Sequence, residues 1–111
     1  MVAKNDPVME ITEGEFDEII NNSHKLVVVD FFAEWCMPCL MLSPVIEELA
    51  DKLKDVKFVK INVDDNRELS SKFGISSIPC LIIFKDGKEV DRMVGSQTGE
   101  SIEEKVSGFL G

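Results

Sequence analysis

The sequence predicts an α/β domain built on a mixed central β-sheet with helices on both faces. Three observations carry this. The run Leu26-Val27-Val28-Val29-Asp30-Phe31-Phe32 is almost continuously apolar and rich in branched residues, as suits a strand covered on both faces of a sheet. Apolar residues at spacings of three and four follow it, over Leu42, Val45, Ile46, Leu49 and Leu53, the period of an amphipathic helix. Near the C-terminus, Lys85-Asp86-Gly87-Lys88 is a hairpin turn, so the strands on either side of it run antiparallel.

The remaining elements fall into place around these. Residues 1–7 form a flexible lead, and residues 8–111 form the domain. Val8 to Ile11 reads as a short strand. Thr12-Glu13-Gly14-Glu15 fits a capping box, with Thr12 and Glu15 satisfying free N–H groups at a helix start. That helix presents Phe16, Ile19 and Ile20 on one face and closes at Asn22-Ser23-His24. A long helix follows Cys39. Pro38 suits its first turn, where a missing N–H costs little, and Pro44 predicts a kink. Val56 to Val63 is the next strand. Asn66 to Phe73 is a short helix that Gly74 ends in a left-handed cap. Leu81 to Phe84 and Glu89 to Val94 flank the hairpin turn. A last helix starts near Thr98 or Gly99 and buries Ile102, Val106 and Phe109. The order is βαβαβαββα.

A chain of 111 residues supports one domain with a single core. Lys and Arg total 12 against 21 Asp and Glu, a formal net charge of −9. Nucleic-acid binding needs clustered cations to displace phosphate counterions. No basic run is present, which argues against nucleic acid and against anionic membrane surfaces. The acid excess serves solubility. No apolar run approaches the ~20 residues of a membrane span, and the first residues show no secretory signal. The expected location is the cytoplasm and the expected state a monomer.

Chemistry concentrates at Trp35-Cys36-Met37-Pro38-Cys39, between the end of a buried strand and the start of a helix. Unpaired N–H groups and the helix dipole stabilise a thiolate at such a position. Only a thiolate attacks disulfides, and two intervening residues let the second sulfur reach back to the first. The competing use of a CxxC pair is a structural zinc site. Zinc wants four ligands, and the chain offers only this pair, Cys80 and a single His24 in a distant loop. No metal and no organic cofactor is expected. Asp30 is the other anomaly, since a charge inside a buried strand is costly without a partner.

The segment Asp30-Phe31-Phe32-Ala33-Glu34-Trp35-Cys36-Met37-Pro38-Cys39 resembles the active-site segment of the thioredoxin family. The resemblance continues through Pro44, Lys60-Ile61-Asn62-Val63-Asp64, Phe73-Gly74-Ile75, Ile78-Pro79, Phe84-Lys85-Asp86-Gly87 and Val94-Gly95, in order and spacing, over about residues 8 to 110. It implies a thioredoxin fold and a protein-disulfide reductase. In that reading Cys36 and Cys39 form the redox disulfide, Cys36 attacks and Cys39 resolves. Asp30 lies beneath Cys39 as a buried acid–base, with Lys60 nearby. The Ile78–Pro79 bond is cis and packs against the cysteines. Trp35, Met37, Pro38, Ile75, Ile78, Pro79 and Gly95 line the substrate-binding surface. The partners are protein disulfides and a reductase or other dithiol donor. Three departures from the family pattern stand out. Met37-Pro38 replaces the usual Gly-Pro, Phe32 the usual Trp, and Cys80 the usual Thr after the proline.

Each supporting residue has a plainer reading. Asp30 could be a structural hydrogen-bond acceptor, and Lys60 a solvated edge residue. Cys80 could be a small buried side chain or a third redox thiol near the pair. The runner-up activity is a thiol oxidase or isomerase on the same fold. The other classes are a redox-passive binding module and a metal or iron–sulfur carrier using Cys36, Cys39 and Cys80.

Overall fold

The computed structural model describes residues 8–110; the lead at residues 1–7 lies outside the described residues. The elements are β1 (Met9–Glu10), α1 (Glu13–Asn22), β2 (Leu26–Phe32), α2 (Met37–Lys52), β3 (Val56–Asn62), α3 (Arg67–Lys72), β4 (Cys80–Lys85), β5 (Lys88–Val94) and α4 (Gly99–Ser107). This is the βαβαβαββα order. One five-stranded sheet runs β1-β3-β2-β4-β5. β1 and β2 are parallel to β3, while β4 is antiparallel to both β2 and β5.

The apolar run over β2 reflects its place in the middle of the sheet, where both faces are covered. Side chains alternate along a strand. Leu26 and Val28 therefore join Leu42, Ile46 and Leu49 of α2 and Ile102 and Val106 of α4 in one core. Val27, Val29 and Phe31 face the opposite way, toward Phe16 and Ile20 of α1 and Leu69 of α3. On that second face Phe16, Phe73 and Phe84 meet edge to face at centroid distances of 5.4 to 5.5 Å. Each such pair adds about 0.5–1.5 kcal/mol beyond burial.

The two helices of this face cap each other. The Glu13 N–H donates to Asn66 Oδ1 at 2.8 Å, and the Leu69 N–H donates to Glu13 Oε1 at 3.0 Å. Free N–H groups at both helix starts are thereby satisfied. At Thr12, the backbone N–H donates to the Glu15 carboxylate at 2.9 Å, as the capping-box pattern requires.

The hairpin turn takes its form from Asp86 and Gly87, with φ of 54° and 82°, the paired positive values of a type I′ turn. At Gly87 a Cβ would also come 2.5 Å from Asn21 Oδ1, so a side chain there would require the Asn21 amide to turn aside. Gly74 has φ of 63°, the left-handed conformation expected after α3.

One boundary differs from expectation in a way that bears on function. α2 begins at Met37, with Cys36 as its N-cap, and not after Cys39. Cys39 therefore lies inside the first turn. The helix continues through Pro44 to Lys52.

Candidate active site

The site forms where β2 hands over to α2. Ala33 ends the buried run and its carbonyl accepts from the Cys36 N–H at 3.2 Å. That turn sets Cys36 at the head of a sixteen-residue helix. Its Sγ accepts from the Cys39 N–H at 3.2 Å, so sulfur takes the role that a Ser or Asp oxygen usually plays at an N-cap. Cys36 and Cys39 are joined as a disulfide, with Cα atoms 5.2 Å apart. Free N–H groups and the helix dipole favour negative charge at such a position.

Both cysteines are buried, with Ala33 packed against them and Phe32, Val63 and Ile78 around. The Ile78–Pro79 bond is cis, and Cys36 Sγ lies 3.8 Å from the Ile78 carbonyl oxygen. Pro79 is held in turn, its carbonyl accepting from the Gly95 N–H at 2.8 Å. Gly95 has φ of 89°, a conformation open to glycine at little cost. The loop before β4 and the end of β5 are thus locked together beside the disulfide.

Asp30 sits in the middle of the sheet and is only 4 % exposed. Alternation along β2 places it on the face that α2 covers, with Val28 and Leu42, beneath the helix that carries Cys39. Its Oδ1 has no hydrogen-bond partner among the described residues. Burial raises its pKa from the ordinary 3.8 to about 7, against a smaller opposing pull from Lys60.

Lys60 is the direct neighbour of Asp30 across the β2–β3 ladder. It is no edge residue, because β1 pairs with β3 at this same position. Its side chain is half-buried, with the ammonium 5.7 Å from the Phe32 ring centroid. Phe32, which departs from the family's Trp, thus serves as a cation–π surface.

The proposed docking rim divides by exposure. Trp35 is 70 % and Met37 65 % exposed, and Pro38 is open as well. Ile75, Ile78 and Gly95 are half-buried, and Pro79 is buried. The Trp35 indole donates to Asp64 Oδ2 at 2.8 Å, and Asp64 is itself fixed through its N–H to Asn62 Oδ1 at 2.9 Å. The sequence reading did not single out Asp64. Nothing local reveals a contact across 29 positions of chain.

Cys80 does not join the pair. Its register partner is Phe31, and both belong to the core under α1 and α3. Asp30 is one position away and faces α2. Cys80 is reduced and buried, and burial raises its thiol pKa, with Arg92 pulling the other way. Arg92 is anchored by two bonds to Glu89, at 2.7 and 2.9 Å, and by one to the Phe73 carbonyl at 3.0 Å. Strand parity therefore favours the plainer reading of Cys80, a small buried side chain in the core under α1 and α3, on the face of the sheet opposite α2. Among the described residues no three His, Cys, Asp or Glu side chains are placed to share a metal ion, and no helix is long and apolar enough to cross a membrane.

Comparison with known proteins agrees with this geometry. The thioredoxin family profile matches residues 7–108. A thioredoxin of Chlorobaculum thiosulfatiphilum is 45 % identical over 103 residues, covering 92 % of this chain and 95 % of the relative. A thioredoxin of Chlamydia muridarum is 52 % identical over 100 residues, covering 90 % and 96 %. Among solved structures, the N21Q mutant thioredoxin from Halobacterium salinarum NRC-1 superposes with a TM-score of 0.87 at 34 % identity, covering 98 % of this chain and 96 % of that one. With the fold, the CxxC pair at the helix start and these relatives in agreement, the chain belongs to the thioredoxin family and is a dithiol–disulfide oxidoreductase of the protein-disulfide-reducing kind.

Proposed function

We propose that Cys36 is the attacking sulfur and Cys39 the resolving one, with Asp30 as the proton acceptor between them. The observation that carries this is the capping bond from the Cys39 N–H to Cys36 Sγ, a donor that faces Cys36 when it carries negative charge in the reduced protein. In the reduced protein the Cys36 thiolate attacks one sulfur of a substrate disulfide. The substrate S–S bond breaks, its second sulfur leaves as a thiolate that takes a proton, and a mixed disulfide remains. Cys39 then gives its proton to the Asp30 carboxylate, and its thiolate attacks Cys36 Sγ. The mixed disulfide breaks, and the substrate leaves with two electrons gained.

Asp30 suits this role because a pKa of about 7 lets it accept and release a proton near neutral pH. Lys60 holds that value down, so part of the Asp30 population is ionised when Cys39 must deprotonate. Trp35, Met37, Pro38, Ile75, Ile78, Pro79 and Gly95 form the surface on which the substrate polypeptide lies. The Ile78 carbonyl beside Cys36 Sγ gives that polypeptide a backbone acceptor, in the manner of strand addition. Substrates are protein disulfides, and a reductase or another dithiol donor returns the pair to the dithiol, in the cytoplasm.

Turnover of an insulin-type disulfide with a dithiol donor tests the assignment. Cys36→Ser removes the nucleophile and should abolish reduction. A Cys36→Ser protein that reduces the substrate at the parent rate would overturn it.

A further inference from the structure

One apolar surface next to the disulfide shares Met37 and Pro38 with the docking rim just described and extends beyond it along α2. Met37 and Met41 stand one turn apart on the same side of α2, and Met41 is 70 % exposed. Buried Leu42 and half-buried Val45 lie below them. Across from them runs the loop that carries Ser96 and Gln97 into α4. Together these residues enclose an open groove of about 370 Å³ without a single charged side chain, on a chain of net charge −9.

The two walls differ in stiffness. Gln97 Nε2 donates to the Val94 carbonyl at 3.4 Å, and the Ser101 hydroxyl donates to Gln97 Oε1 at 3.2 Å. Thr98 caps α4 through the Ser101 N–H at 3.0 Å. At Gly99 a Cβ would stand 3.3 Å from Val45 Cγ1, so this end of α4 is packed closely on α2. The loop wall is therefore preformed. The methionine wall is unbranched and adaptable, as suits contact with varied apolar groups.

The groove is continuous with the reducing site. Met37 and Pro38, which form its upper lip, are the residues between the two cysteines. A polypeptide tethered through sulfur to Cys36 passes within a few residues of this opening. We infer that the groove is a specificity subsite, taking one large uncharged side chain, branched aliphatic or aromatic, that flanks the attacked cysteine of a substrate polypeptide. This rests on the reading that Cys36 forms the mixed disulfide.

The test uses peptide disulfides of Gly and Ser in which one position, from one to four residues on either side of the cysteine, is Leu or Asp. At one position the Leu peptide should be reduced with a kcat/KM about tenfold above that of the Asp peptide, a normal yield from an apolar pocket. Met41→Glu, and the milder Met41→Gln, should bring that ratio toward one. Equal rates for Leu and Asp at every position would overturn the subsite. So would a Leu preference that survives both substitutions, or a concentration-dependent dimer that Met41→Glu dissolves, since the groove would then receive a second copy. Failure to reduce any peptide would instead refute the reaction assigned to Cys36.

Discussion

Asp30→Asn should make the oxidised protein more stable, and by an amount that grows with pH. The carboxyl has a pKa of about 7 in the folded protein and 3.8 as its ordinary value. Below the lower value both folded and unfolded chains hold the proton, and Asp30 costs little. Between the two values the unfolded chain has released the proton and the folded one has not. Folding then binds a proton, so stability falls as pH rises, by about 1.4 kcal/mol per pH unit. Above the folded value the loss is complete, at roughly 4 kcal/mol over the gap of about three units. Asparagine carries no such proton. Urea denaturation of both oxidised proteins at intervals between about pH 4 and pH 8 should therefore give a stability difference that climbs by ~4 kcal/mol and levels off near neutrality. Taking the difference cancels every other titrating group. Lys60→Gln should shift the climb to higher pH, because Lys60 holds the Asp30 value down. A difference curve flat to within about 1 kcal/mol would show that Asp30 is ionised in the fold at low pH, and its role as proton acceptor would fall with it.

Other expectations follow from individual contacts. Cys80→Thr should keep most of the reductase rate, and the oxidised parent should show its one free thiol to a thiol reagent only after denaturation; a fast-reacting thiol in the folded protein, or a peptide linking Cys80 to Cys36 or Cys39, would contradict the placement under α1 and α3. Asp64→Ala releases the indole of Trp35, the single tryptophan, and should lower its fluorescence anisotropy and raise KM for protein disulfides about two- to fivefold, the effect of one exposed hydrogen bond; unchanged anisotropy would show that the bond orders nothing. Gly87→Ala forces a side chain into φ of 82° against Asn21, and should cost about 1–2 kcal/mol in a denaturant melt.

The parts of the fold that depend on neighbouring residues were legible in the chain. β2 could be read end to end because both its faces are covered, and the hairpin because Asp86-Gly87 leaves few alternatives. The start of α2 was placed too late because the cap there is a cysteine, not one of the oxygen-bearing residues that mark a helix start. Asp30 announced itself as a misplaced charge. What remained hidden depends on register and long-range packing. Cys80 is one position from a residue on the Cys39 side of the sheet, and only the pairing of Cys80 with Phe31 reveals that it faces away. Lys60 looked like an edge residue because the sequence shows the short first strand but not that it pairs with β3 at this position. Met41 was overlooked because its neighbours Leu42 and Val45 already completed the inward face of α2, leaving its exposure beside the disulfide to be seen only in three dimensions.

Mixed-disulfide mapping tests the assignment of the two sulfurs most directly. Reduced Cys39→Ser and Cys36→Ser proteins are offered the same protein disulfide, the adducts are trapped at acid pH, and the linked peptides are identified by mass. Cys39→Ser should accumulate an adduct in which substrate sulfur is bonded to Cys36, while Cys36→Ser accumulates almost none. Equal adduct yields from the two variants, or an adduct on Cys80, would contradict the claim that the N–H at the head of α2 singles out Cys36 as the nucleophile.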